Sequence, residues 1–168
     1  DMFNKFESDI RLGLGREEMV KWKKDIEKYK GMPLKVMATK VNSLINKKKY
    51  ITDKKNWGTS DYWATPVEFM TRGGDCEDFA IAKYVSLRAL GVPEGRMRIA
   101  IVQDTFKNIP HAILIVYSNS GPLVLDNQSK AIKYADSIKR YKPIFSINRT
   151  AWWLHKETTT TTLVASAQ

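Results

Sequence analysis

The most informative stretch of the chain is residues 72–80, which read Arg72-Gly73-Gly74-Asp75-Cys76-Glu77-Asp78-Phe79-Ala80. The two glycines allow a tight turn, and an aspartate such as Asp75 commonly caps a helix, so Cys76 falls at the first helical position. There the positive end of the helix dipole stabilises a thiolate, the nucleophilic form of cysteine. Cys76 is the only cysteine, so an intrachain disulfide is excluded and the thiol is either a small buried hydrophobe or a reactive group. We predict that it is a nucleophile.

Helical patterns dominate the first half of the chain. Apolar residues cover most faces of the segment from Glu77 to Leu90, and Gly91 and Pro93 end it, so we expect a central buried helix that starts at the cysteine. Upstream, apolar residues at helical spacing predict helices over residues 17–30 and 34–49. The segment Thr65-Pro66-Val67-Glu68 is a capping box that begins a further short helix.

The second half has the pattern of strands. Short runs of β-forming residues occupy 97–103, 111–117 and 123–126, with a further candidate at 143–147, and the turn at 118–122 joins two of them as a hairpin. Helices followed by an antiparallel sheet predict an α+β fold. With 168 residues, 43% of them hydrophobic, the chain suits one domain. We expect residues 1–157 to form it and the threonine-rich tail at 158–168 to be flexible.

The chain carries 28 basic and 18 acidic residues, a net charge of +10, which favours acidic partners. The charge alone does not choose between nucleic acid, an anionic membrane and an acidic protein. The lysines are spread over helix faces and turns, as on solvated surfaces, and no zinc-finger spacing or aromatic RNA-binding motif accompanies them. No apolar run approaches the roughly 18 residues of a membrane span, so none is predicted.

A nucleophilic cysteine needs a base and a group that orients the base. Of the two histidines, His111 opens a strong strand and is the predicted base, whereas His155 lies near the tail. If the hairpin turn pairs Tyr117 with Pro122, Asp126 becomes the diagonal cross-strand neighbour of His111. A register slip of one residue would move Asp126 to the other face and leave Asn127 or Asp104 as substitutes. Singly, such residues are commonly satisfied polar groups or turn caps, but the combination with Cys76 favours catalysis.

Several stretches together resemble the bacterial transglutaminase-like cysteine proteinases. The resemblance rests on Trp57-Gly58, on Asp61-Tyr62-Trp63-Ala64-Thr65-Pro66-Val67-Glu68-Phe69, on Gly73-Gly74-Asp75-Cys76-Glu77-Asp78-Phe79-Ala80-Ile81-Ala82-Lys83-Tyr84, on His111 and on Leu125-Asp126-Asn127. It covers nearly all of residues 1–157. It implies a papain-like, transglutaminase-like fold and a cysteine protease in which Cys76, His111 and Asp126 are nucleophile, base and orienting acid.

The same resemblance implies a calcium requirement, with Asp75 and Glu77 as ligands together with the adjacent Asp78. Three carboxylates within four residues offer the hard oxygens that Ca²⁺ prefers. From the residues alone, Asp75 and Asp78 equally well cap the helix, so capping and metal binding both stay open. Trp63, thirteen residues before the cysteine, is a candidate for the substrate cleft or for the core.

The family further implies a periplasmic protein, so we expect a signal peptide to be removed or absent upstream of Asp1. It also implies two partners: a large cell-surface adhesin, cut near its N-terminus to control biofilm attachment, and an inner-membrane cyclic-di-GMP receptor that sequesters the protease.

Two other functions compete with the protease function. One is acyl transfer to amines, as in true transglutaminases, and the other is a non-catalytic basic module that binds an acidic protein or nucleic acid.

Overall fold

The computed structural model describes residues 1–155, which form a helical layer packed on one antiparallel sheet. The predicted flexible tail at 158–168 lies outside the described residues. The helices are α1 (Met2–Arg11), α2 (Arg16–Glu27), α3 (Leu34–Ile45), α4 (Asp53–Trp57), α5 (Pro66–Arg72) and α6 (Cys76–Ala89). The strands are β1 (Met97–Asp104), β2 (Ile109–Ser118), β3 (Gly121–Leu125), β4 (Lys133–Tyr134), β5 (Tyr141–Ile147) and β6 (Trp152–Leu154).

The sheet has the strand order β4-β3-β2-β1-β5-β6, and every neighbouring pair is antiparallel. Strands β2 and β3 form the predicted hairpin, with Tyr117 opposite Pro122. The predicted α+β architecture is therefore confirmed. Within residues 1–155, no helix is long and apolar enough to cross a bilayer.

Helix α6 is the centre of the molecule. It is buried along residues 77–87, and it packs between the helical layer, chiefly α3 and α5, and strands β1 and β2. Its apolar residues cover most faces because the helix is enclosed on both sides. Trp22 of α2 donates its indole N–H to the hydroxyl of Ser86 at 2.8 Å, which fastens an outer helix to the central one. The central helix is thus enclosed by packing on both sides.

The face of the sheet away from α6 carries a second, smaller apolar cluster. Its members are Ala100, Val102, Ile113, Ile115, Val124, Ala135 and Tyr141. Residues 128–140 pass from β3 through β4 to β5 and include the short turn of 3₁₀-helix at Ala135–Ser137, which contributes Ala135 to the cluster. This second cluster brings β5 toward the end of β3, where one candidate site residue lies.

Several element boundaries differ from the predictions. The helix predicted over 17–30 ends at Glu27, and the one predicted over 34–49 ends at Ile45. Helices α1 and α4 and strands β4 and β6 were not predicted. Three of these elements have five residues or fewer and owe their form to tertiary contacts, because such short segments carry little periodicity.

Candidate active site

The nucleophile candidate lies at the first position of α6, as predicted. The helix start is capped by Asp78, whose carboxylate accepts the backbone N–H of Asp75 at 3.1 Å. The other oxygen of Asp78 accepts the backbone N–H of Ala64 at 2.8 Å. Asp78 is fully buried, and it therefore ties the loop before α5 to the start of the cysteine helix.

The two glycines before the cysteine are required by close approach. The backbone at Gly74 passes so near Asp78 that a Cβ on residue 74 would lie 2.4 Å from the carboxylate oxygen Oδ2. Gly73 has φ +78°, and a Cβ there would lie 2.4 Å from the carbonyl oxygen of Lys49. Hydrogen bonds join Gly74 to the neighbouring segment, since its N–H donates to Lys49 and its carbonyl accepts from Ile51. The glycines thus dock residues 49–51 against the turn.

His111 and Asp126 meet as the predicted register requires. The Nε2 atom of His111 lies 2.8 Å from Oδ1 of Asp126, and both side chains are buried. Asp126 also accepts the backbone N–H of Gln128 at 3.0 Å and the hydroxyl of Tyr141 at 2.5 Å. Hydrogen bonds from these groups lower the pKa of Asp126 against the opposing effect of burial, so the carboxylate is anionic at neutral pH.

Neither of the two substitutes for Asp126 has a hydrogen bond to His111 among the described residues. Asp104 forms an ion pair with Arg140 and accepts the backbone N–H groups of Phe106 and Lys107 in the turn after β1. Asn127 holds its side-chain oxygen buried without a hydrogen bond. The second histidine, His155, lies 3.0 Å from the hydroxyl of Ser146.

Cys76 approaches β2 beside the base. The backbone of Ala112, the residue after His111, lies close enough to the thiol to act against the rise of its pKa, while the thiol donates to Glu77 at 3.3 Å. In the described chain no hydrogen bond joins Cys76 to His111. Burial, followed by the negative charge of Glu77, raises the pKa of the thiol. Because Nε2 is engaged by Asp126, Nδ1 is the ring nitrogen left to receive the thiol proton.

Three carboxylates crowd together next to the thiol. Oxygens of Asp53, Asp75 and Glu77 lie within 4.8 Å of one another. Burial, and then the neighbouring carboxylates of Glu77 and Asp53, raise the pKa of Asp75 to about 9. Buried oxygens of Asp53 and Asp75 have no hydrogen-bond partner. Unpartnered, converging carboxylate oxygens fit a hard divalent cation such as Ca²⁺.

The three predicted calcium ligands therefore fall into two groups. Asp75 and Glu77 belong to the carboxylate cluster, whereas Asp78, whose two oxygens accept backbone N–H groups, lies outside it. Asp53 is a candidate that sequence reasoning missed. It lies 22 residues before Asp75 and comes near because residues 49–51 dock on Gly74, so no short-range pattern in the sequence pointed to it.

Two aromatic residues remain to be placed: Trp63, which was predicted from the sequence, and Tyr141, which was not. Trp63 is partly buried and packs against the larger apolar cluster of the protein, which agrees with the core alternative predicted for it. Tyr141 was also missed by sequence reasoning, because the pairing of β5 with β1, and not any local signal, brings it to the site. Its hydroxyl bonds Asp126, and its ring lies 5.5 Å from that of His111.

Known proteins resemble the chain in both sequence and fold. A family model of the bacterial transglutaminase-like cysteine proteinases (BTLCP) matches residues 18–160. Calcium-bound LapG of Legionella pneumophila is 36% identical, with a TM-score of 0.77 over 98% of this chain and 93% of that one. EGTA-treated LapG of the same organism is 39% identical, with a TM-score of 0.76 over 85% and 78%. No curated protein matches the chain. The expected transglutaminase-like protease fold is confirmed.

Proposed function

The chain belongs to the bacterial transglutaminase-like cysteine proteinases, and we propose that it is a calcium-dependent endopeptidase with Cys76, His111 and Asp126 as its triad. The observation that carries the triad is the buried 2.8 Å contact between His111 and Asp126, one residue away from the Ala112 backbone that lies close to the thiol. A carboxylate partner on Nε2 orients the imidazole.

The reaction follows from these positions. Nδ1 of His111 takes the proton of Cys76, and the thiolate attacks a backbone carbonyl of the substrate. The oxyanion accepts the backbone N–H of Cys76 at the positive end of α6. His111 then protonates the leaving amine, and a thioester remains on Cys76. Water attacks the thioester with His111 as the base, which releases the acid product and regenerates the thiol.

Asp53, Asp75 and Glu77 would hold the calcium ion. Bound there, the cation would supply positive charge that neutralises the carboxylates beside the thiol. The support is the unpartnered oxygens of the cluster together with the calcium-bound LapG structure. In the described chain Glu77 both belongs to the cluster and accepts the thiol hydrogen bond, so this residue links the metal ligands to the nucleophile.

The substrate and partners are proposed from the family resemblance. The substrate would be a large surface adhesin, cleaved near its N-terminus in the periplasm to control biofilm attachment. An inner-membrane cyclic-di-GMP receptor would sequester the enzyme. The net charge of +10 suits acidic surfaces on either protein. Association rates should then fall as ionic strength rises, and rates independent of salt would contradict an electrostatic contribution to capture.

A cleavage assay on an adhesin fragment tests the proposal. Wild type and Cys76→Ala are compared with and without a calcium chelator, in the presence of a labelled primary amine. We expect cleavage only by wild type and only without chelator, with unlabelled acid products. Amine-labelled product without hydrolysis would instead indicate acyl transfer, and cleavage by Cys76→Ala would refute the nucleophile. Salt-sensitive binding of nucleic acid with an unreactive thiol would favour a binding module.

A further inference from the structure

The triad acid has a second side-chain partner besides the base. Oδ1 of Asp126 lies 2.8 Å from His111, while Oδ2 accepts the hydroxyl of Tyr141 at 2.5 Å. The two oxygens of the carboxylate are therefore fixed by different residues. A carboxylate held at only one oxygen rotates about its terminal bond, and bonding at the second oxygen stops that rotation.

Tyr141 is itself held firmly. It is the first residue of β5 and pairs with Asp104 of β1, and its side chain is only 7% exposed in the second apolar cluster. The guanidinium of Arg140 lies 5.3 Å from the Tyr141 ring centroid and pairs with the buried Asp104. The tyrosine ring also lies 5.5 Å from the His111 ring, inclined at 46°. One rigid side chain thus contacts both the acid and the base.

We propose that Tyr141 is a positioning residue, which fixes the plane of the Asp126 carboxylate and thereby the orientation of the His111 imidazole toward Cys76. The inference rests on the proposed triad. The backbone N–H of Gln128 bonds Oδ1, the oxygen that faces His111, so within the described residues Tyr141 supplies the hydrogen bond to Oδ2. Loss of its hydroxyl leaves one buried oxygen of the acid without a donor and frees the carboxylate to turn.

The test uses Tyr141→Phe, which keeps the ring and removes the hydroxyl. Tyr84→Phe is the matched control, because it removes a buried tyrosine hydroxyl that bonds Glu94 at 2.9 Å, away from the triad. We expect Tyr141→Phe to lower kcat about tenfold with little change in KM, since one hydrogen bond to a charged group is lost from the catalytic arrangement. Tyr84→Phe should leave kcat within about twofold.

Two readouts do not require cleavage of any substrate. The first is alkylation of Cys76 by iodoacetamide at neutral pH, which we expect to be slower in Tyr141→Phe than in Tyr84→Phe because proton transfer from the thiol needs an oriented imidazole. The second is the proton NMR signal of the His111 ring N–H bonded to Asp126, identified by comparison with a His155→Gln sample. It should shift in Tyr141→Phe and stay in place in the control.

A double-mutant cycle separates positioning from general stability. In an Asp126→Asn background, Tyr141→Phe should have little further effect on alkylation, because the group that it orients has already been altered. Equal alkylation rates and an unshifted NMR signal in Tyr141→Phe would overturn the inference, as would full additivity in the cycle. If wild type cleaves no adhesin fragment while alkylation and the NMR signal respond as expected, the proposed function fails and the positioning role stands.

Discussion

The thiol of Cys76 donates its hydrogen bond to the carboxylate of Glu77, at 3.3 Å, and not to the base. The two residues are neighbours in the first turn of α6, so the favourable helix dipole and an unfavourable carboxylate act on the same sulfur. The result is a raised pKa of the thiol, caused first by burial and then by Glu77. Burial and the Glu77 carboxylate thus both favour the protonated thiol over the thiolate.

Glu77→Gln should activate the thiol in the absence of calcium. Removal of one negative charge beside the sulfur lowers the pKa of the thiol, and one unit corresponds to about a tenfold larger thiolate fraction. We expect alkylation by iodoacetamide in a chelator to be about tenfold faster than in wild type. Because Cys76 is the only cysteine, a Cys76→Ala sample gives the background directly. An unchanged rate would show that the charge of Glu77 does not control the thiol.

Asp53→Asn should change stability in opposite directions with and without calcium. In a chelator the substitution relieves repulsion within the Asp53, Asp75 and Glu77 cluster, so the melting temperature should rise. With calcium it removes a charged ligand, and affinity should fall about tenfold or more. Calorimetric titration and thermal unfolding measure both effects.

The matched control for Asp53→Asn is Asp61→Asn, which neutralises an exposed aspartate outside the cluster. It should leave calcium affinity unchanged. Equal calcium affinity of Asp53→Asn and wild type would exclude Asp53 as a ligand.

Gly74→Ala should destabilise the protein by about 2 kcal/mol, because the new Cβ would overlap the Asp78 carboxylate and force the capped turn apart. Gly95→Ala is the control, since nothing lies within 4 Å of a Cβ at that position. Urea unfolding of both variants measures the difference. Similar free energies of unfolding for the two variants would show that the turn before Cys76 accommodates the added methyl group at little cost.

Lys83→Met should raise stability at neutral pH by about 2 kcal/mol. Lys83 is fully buried on α6, and its ammonium nitrogen has no hydrogen-bond partner, with the Phe79 ring centroid 5.8 Å away. Burial lowers the pKa of Lys83 to about 7, against the opposing attraction of Asp126. An unbranched apolar side chain fills a similar volume without that cost.

The stability gained by Lys83→Met should decrease as the pH rises. Because the folded pKa of about 7 lies below the ordinary value of 10.5, the unfolded chain binds more protons between these values. Wild-type stability is thus penalised most at pH 7 and below, and the penalty fades as the pH rises toward 10. The difference in unfolding free energy between Lys83→Met and wild type should shrink from pH 7 to 9.5, and the same measurement on Lys23→Met, at an exposed lysine, provides the comparison.

Local chemistry made much of the fold predictable. The Thr65 hydroxyl accepts the N–H of Glu68, and the Glu68 carboxylate accepts the N–H of Thr65, as the capping box requires. The pairing of Tyr117 with Pro122 likewise follows from hairpin geometry, and it brings Asp126 to His111. These features depend on residues close in sequence, so the pattern contained the needed information.

The rest of the site depends on long-range contacts. Asp53 reaches the cluster because Tyr50 pairs with Gly74, and Tyr141 reaches Asp126 because β5 pairs with β1. Neither pairing can be predicted from the local sequence pattern. The role of Asp78 was undecided for a related reason: its second hydrogen bond, to Ala64, spans fourteen residues and is visible only in the fold.

Cys76 and His111 come from separate stretches of the chain, divided by the turn that follows α6 at Gly91. Cys76 and the acidic cluster come from residues 53–77, whereas His111, Asp126 and Tyr141 come from residues 111–141. A polypeptide still under synthesis therefore possesses its thiol long before it can pair a base with an acid. If the proposed triad acts, a partly made chain that ends before residue 126 lacks the His111–Asp126 pair and should be inactive.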